Sequence, residues 1–183
     1  DYLTAGDFGD LAEPDNQVAS SDAVASFLHR SDFLIILGGD NAVTYSGVMG
    51  LAKGVGGLDK VGLITLDAHH DVRDGISNGS PIRQLLDAGL SGDHTVQIGI
   101  SDFANSKFYA DRVKELGISV INRSQVRNGN LEDIAIRALE IAGDGHRAIY
   151  IDIDMDVCDR SVVPACPAAT PGGLSADELR QLV

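Results

Sequence analysis

Apolar runs alternate with amphipathic stretches along most of the chain, and each run ends in glycine or in a cluster of polar residues. FLIILGGD (33–40), KVGLITLDA (60–68), HTVQIGI (94–100), the start of ISVINRSQV (118–126) and RAIYIDIDMD (147–156) read as strands. NAVTYSGVMGLAKG (41–54), PIRQLLDAG (81–89), NSKFYADRVKELG (105–117), NLEDIAIRALEIAG (130–143) and SADELRQLV (175–183) read as helices. The clearest is 130–143, where Leu131, Ile134, Ala135, Ala138, Leu139 and Ala142 fall on one stripe. Pro81 suits a first helical turn and Gly89 a position just past a helix end. Ser175 followed by Glu178 is a capping-box pattern.

Strands that are apolar on both faces and separated by helices specify a parallel sheet covered on two sides. The expected fold is therefore α/β, with three α/β/α layers around a mainly parallel sheet. Such sheets bind ligands beyond the carboxyl ends of their strands. Gly38–Asn41, Asp67–Asp71 and Asp152–Asp156 each follow an apolar run, so the three polar clusters are expected to converge on one edge. No repeat, low-complexity tract or linker divides the 183 residues, and a single domain over 1–183 is expected. Because the chain starts at Asp1 rather than Met and stops at Val183 inside a capped helix, further segments on both sides are expected.

Composition adds exclusions. Hydrophobic residues make up 44% and charged ones 22%, as in ordinary globular domains. A net charge of −13 repels phosphate, which argues against general nucleic-acid or anionic-membrane partners. No apolar run reaches membrane-spanning length and no signal-peptide pattern is present. Cys158 and Cys166 are too few for a disulfide framework and not spaced as zinc ligands. They read as reduced thiols of a cytoplasmic protein.

The polar clusters carry the chemistry. In LDAHHD (66–71), Asp67, His69 and Asp71 recur at period two and face one way if the segment is extended. Asp152 and Asp154 share that spacing in IDIDMD. Carboxylates with one imidazole suit manganese, magnesium or iron. Packed together they repel unless cations or protons neutralise them, and two divalent ions sharing carboxylates would do so. His70 points away from His69 and reads as a packing or hydrogen-bonding residue. His29, His94 and His146 read as surface residues. LGGDN (37–41) lacks the lysine and the glycine spacing of a phosphate loop.

LGGDN, LDAHHD and IDIDMDVCD (151–159), followed by PGGLS (171–175), resemble in order and spacing the signature blocks of the arginase–agmatinase (ureohydrolase) family. The resemblance spans roughly 33–178. It implies an arginase-like α/β/α fold, two Mn2+ ions, hydrolysis of a guanidino or formimino C–N bond in a small amidine substrate, and a homo-oligomer, trimer or hexamer. It assigns Asp67 and Asp152 as bridging ligands. Asp71 completes the first metal and serves as the catalytic acid that passes a proton to the leaving nitrogen. His69 and Asp154 complete the second metal. Asn41 stands where the family has a histidine ligand, so one of the two sites is expected to be weak or differently filled. Arginine directly after the DAHHD block's valine, followed by GSPIRQ (79–84), looks most like formimidoylglutamases. Asn78 falls where arginases carry a proton-shuttling histidine, and is placed with the substrate-binding candidates. Arg73 and Arg83 are candidates for the carboxylates of a glutamate-bearing substrate. The expected reaction is conversion of N-formimidoyl-L-glutamate to glutamate and formamide. A urea-releasing agmatinase activity and a metal-impaired, non-catalytic regulatory homologue remain the alternatives.

Overall fold

The computed structural model describes residues 4–183; Asp1, which prompted the expectation of a preceding segment, lies outside the described residues. Four strands form one sheet: β1 (Val61–Leu66), β2 (Thr95–Ile100), β3 (Ser119–Asn122) and β4 (Ala148–Ile153), in the order β3-β2-β1-β4. All three pairings are parallel. The helices are α1 (Gln17–Leu28), α2 (Ala42–Val55), α3 (Pro81–Asp87), α4 (Lys107–Glu115), α5 (Arg123–Asn128), α6 (Leu131–Gly143) and α7 (Ala176–Leu182).

β1 is buried along its whole length and splits the core by alternation. Val61 and Leu63 face α2, α3 and α4 through Val48, Ala52, Ile82, Leu85 and Val113. Ile64 and Leu66 face α5 and α6 through Val126, Ala138 and Ala142. These are the three expected layers. Gly62 is required on the second face, because a Cβ there would lie 1.9 Å from the Ala142 carbonyl oxygen. Local signals set the helix ends. Asn130, Ser106 and Asn122 each accept a backbone N–H as N-caps, and Ser175 with Glu178 forms the expected capping box.

Two expectations are corrected, the strand at 33–37 and the cover of β4. The run 33–37 is not a strand: Phe33, Ile35 and Leu37 are 79%, 72% and 92% exposed, and no strand pairs with this stretch among the described residues. β propensity alone does not hold a strand that has no ladder partner. ISVINRSQV begins as a strand, as expected, and runs to Asn122, whose side chain caps α5 and ends the extended run. β4 is the sheet's outer edge and is only partly covered, with Ile151 and Ile153 each 40% or more exposed. α1 carries no clear stripe in sequence; it forms under an Asn16 cap and packs on α2, where Gly50 lets Val24 approach. No helix among the described residues is long and apolar enough to cross a membrane. Cys158 and Cys166 are free thiols.

Candidate metal centre

β1 and β4 run side by side in register, Thr65 beside Asp152 and Leu66 beside Ile153, so the two acidic segments leave the sheet together. The Asp154 N–H donates to the Leu66 carbonyl at 2.9 Å, which extends the pairing one step past the strands. The chain then turns through Met155–Val157, with Asp154 capping the turn by accepting the Asp156 N–H at 2.9 Å. This turn carries the Asp156 side chain back over the end of β1. There its Oδ1 accepts the Ala68 N–H at 3.1 Å, and its Oδ2 lies 2.9 Å from His69 Nδ1. Asp67 closes the group from β1, its Oδ1 accepting the His69 N–H at 2.6 Å. Ligand atoms of Asp67, His69 and Asp156 all lie within 4.8 Å of one another.

Asp156 is a donor to which strand alternation does not point. Alternation pairs Asp152 with Asp154 at period two. The structure turns Asp152 elsewhere: its Oδ1 accepts the Thr44 hydroxyl at 2.9 Å beneath α2. Period-two alternation holds only while the chain is extended, and β4 ends at Ile153. The continuing D-x-D-x-D pattern was the available signal for Asp156.

The electrostatics fit a cation-ready cluster. Burial, together with the neighbouring carboxylates, holds Asp67 well above the usual carboxylate range. Burial also raises Asp154 and pushes Asp71 and Asp152 up to about 6. Asp156 moves the other way. Burial acts to raise it, but hydrogen bonding to His69 and the charge on that ring, with the Ala68 N–H, bring the net below the ordinary value. The reciprocal effect of Asp156, then Asp67, raises His69 to about 10. Buried carboxyls that resist ionisation in the absence of a cation are what a divalent ion would discharge.

Asp71 adopts a left-handed backbone conformation, φ 54°, so LDAHHD does not stay extended to its end. Asn41, at the start of α2, donates its amide to Asp71 Oδ2 and to the Asn78 carbonyl, while its Oδ1 lies 2.9 Å from the Thr44 oxygen, whose one hydrogen it shares with Asp152 Oδ1. The amide thus bridges α2, Asp71 and the loop 72–80. The side chain of Asn78 reaches Asp40 at 3.3 Å. Arg83 is spent locally. Its guanidinium donates to the Arg73 and Gly75 carbonyls and pairs with Asp87, so it props the loop from below. Arg73 packs over Gly79 and lines a cavity of about 390 Å³ shared with His69, His70, Asp71, Asn105 and Tyr109. His70 makes a buried hydrogen bond to Gln97, as the hydrogen-bonding reading expected. His29 and His146 are exposed; His94 is half-buried against the Ile141 carbonyl.

A sequence model of the arginase family matches residues 2–183. The chain belongs to the arginase family. Among arginase-family relatives, the formimidoylglutamase of Bacillus subtilis is 39% identical over 154 residues, covering 81% of this chain and 47% of that protein. The crystal structure of the formimidoylglutamase from Bacillus subtilis superposes with a TM-score of 0.82 at 35% identity, over 90% of this chain and 52% of that one. The crystal structure of Trypanosoma cruzi formiminoglutamase with Mn2+ gives a TM-score of 0.82 at 26% identity, over 97% and 60%. The chain spans about half the length of such curated relatives. The arginase-family α/β/α architecture read from the sequence is the one observed.

Proposed function

We propose that this arginase-family chain contributes the metal-binding half of a hydrolase that splits N-formimidoyl-L-glutamate into glutamate and formamide. The observation that carries the reading is the convergence of Asp67, His69 and Asp156 beside a cavity walled by Asp71 and Arg73. The donor set tests well against manganese, being oxygen-rich with one imidazole. Asp67, His69 and Asp156 would hold one ion; Asp71 and Asp154, with Asp67, are the donors nearest a second. Asn41 cannot serve as a ligand in its present orientation, because its oxygen faces Thr44 and its NH2 group has no free lone pair. Bound manganese supplies Lewis acidity and lowers the pKa of water.

The chain's own residues supply the rest. Asp71, protonated more readily than an ordinary carboxyl, is suited to hold a proton on its carboxyl group and deliver it to the leaving nitrogen. The Asn41 amide, donating to Oδ2, orients that carboxyl. Arg73 faces the cavity as the cation for a substrate carboxylate, whereas Arg83 and Asn78 hold the loop that presents it. Asp152, bonded to Thr44, supports α2 beneath Asn41. A homo-oligomer, trimer or hexamer, and a cytoplasmic setting suited to two free thiols complete the reading. The test is a substrate panel with metal analysis. Formamide release from formimidoylglutamate supports the reading, and urea release from agmatine or another guanidino substrate overturns it.

A further inference from the structure

Two guanidiniums, one from α3 and one from α4, hold the backbone on either side of the Arg73 Cα. Arg83, on α3, donates its Nε to the Arg73 carbonyl at 2.8 Å. Arg112, on α4, donates its Nη1 to the Val72 carbonyl at 2.7 Å and to Asp74 Oδ1 at 2.9 Å. The Val72 carbonyl and the Arg73 N–H belong to one planar peptide unit, and that N–H donates to the Gly79 carbonyl at 3.0 Å. Arg112 and Gly79 therefore pin the plane before the Arg73 Cα, and Arg83 pins the plane after it. The soft rotations between the two planes are φ and ψ of Arg73, so fixing both planes fixes the direction of its Cα–Cβ bond.

Arg112 is itself held. Its guanidinium carbon lies 4.8 Å from the centre of the Phe108 ring and 5.7 Å from that of Tyr109, four and three residues back along α4. Its bond to Asp74 is an exposed ion pair and holds little, whereas Val72 is buried, so the bond to the Val72 carbonyl is the effective tie. The two arginines differ in what their side chains face. Arg112 is spent on the loop and does not line the cavity that Arg73 lines with Asp71 and Tyr109. The Arg73 guanidinium has no hydrogen bond or ion pair among the described residues. A carboxylate accepts a fork of two N–H donors only when the guanidinium arrives in its plane, so recognition through Arg73 depends on its aim.

We propose that Arg112 is a positioning residue for substrate recognition, holding the Val72–Arg73 peptide so that the Arg73 guanidinium meets the substrate carboxylate. The inference rests on the amidine-hydrolase reading above. A double-mutant cycle on manganese-loaded protein, assayed for formamide with bound metal and melting temperature recorded, separates aiming from scaffolding. Arg112→Met raises KM for formimidoylglutamate about 5-fold with parental kcat and bound metal, and adds less than about 2-fold on top of Arg73→Met, where no guanidinium is left to aim. Arg112→Lys keeps a donor for the Val72 carbonyl, so its KM falls between those of the parent and Arg112→Met. The lysine variant carries the same cycle if the methionine variant does not fold. A parental KM in Arg112→Met, or the same fold-rise with and without Arg73, overturns the proposal and leaves the hydrolase reading standing. So does a loss of kcat and bound metal at parental KM, which makes Arg112 purely structural. A fully metallated parent that yields no formamide overturns the hydrolase reading itself, and this inference with it.

Discussion

Asp156 Oδ2 lies 2.9 Å from His69 Nδ1, joining two segments that are 87 residues apart in the chain. The bond exists because β1 and β4 are adjacent and in register, and because the chain turns back immediately after β4. It makes Asp156 the member of the acidic run that is grouped with Asp67 and His69, and so, on the proposed reading, a metal ligand. Replacing Asp156 by Asn is expected to lower bound manganese by about one equivalent and turnover on the order of 100-fold. Asp152→Asn, which disturbs only the bond to Thr44, is expected to cost about 10-fold or less. Metal analysis of both purified variants separates them, and equal metal loss in both would put Asp152 back among the ligands.

The acid cluster sets a pH dependence for the metal-free protein. Asp71 and Asp152 have folded values raised to about 6, and His69 to about 10, so the folded state holds more protons than the unfolded one above pH 4. Their stabilising contribution is fully present at low pH. The carboxyl part is lost progressively as pH rises from about 4 through 6, and the His69 part as pH rises from 6.5 through about 10. Asp156 acts in the opposite sense, but its window lies below its ordinary value, under pH 4. Thermal unfolding of chelator-treated protein is thus expected to shift down by several degrees from pH 5 to pH 8, on the order of 2 kcal/mol per buried carboxyl. The stabilisation by added Mn2+ should widen over the same range, because binding expels those protons. A metal-free melting temperature that rises with pH would contradict the assignment.

How much of this was legible in the sequence follows from what each signal depends on. Buried strands such as β1 and β2 are set by local apolar runs between helices, and they were readable. So was the edge on which Asp67, His69 and Asp71 gather, because parallel strands deliver their loops to one side. The run 33–37 was misread because β propensity says nothing of a pairing partner. Asp156 was missed because alternation predicts a face only for extended chain, and the 3-10 turn after Ile153 is set by the Asp154 cap rather than by apolar spacing. The roles of Arg73 and Arg83 could not be separated by spacing either. Which guanidinium the loop carbonyls consume is a tertiary outcome.

Those two arginines make a direct comparison. Arg73→Met is expected to raise KM for an acidic substrate about 10-fold or more with little change in kcat or melting temperature. Arg83→Met removes bonds to the Arg73 and Gly75 carbonyls and is expected to lower stability by about 1–2 kcal/mol, loosening the loop. Steady-state kinetics beside thermal unfolding distinguishes recognition from scaffolding. A KM effect confined to Arg83→Met would reverse the assignment.

On the proposed two-ion reading, Asn41 stands at the weaker position. Its amide is committed to Asp71, Asn78 and Thr44, so Asn41→His exchanges a hydrogen-bond donor for a nitrogen ligand at the start of α2. Manganese titration is expected to show the weaker of two equivalents tightening about 10-fold or more in this variant. Unchanged stoichiometry and affinity would mean that the site already fills with Asn41 in place.

The most direct measurement is product analysis on manganese-loaded protein given N-formimidoyl-L-glutamate, with bound metal quantified in the same sample. Equimolar formamide and glutamate, abolished by a chelator and restored by Mn2+, is the predicted result. Full metal occupancy with no formamide, or urea from a guanidino substrate instead, would contradict the account.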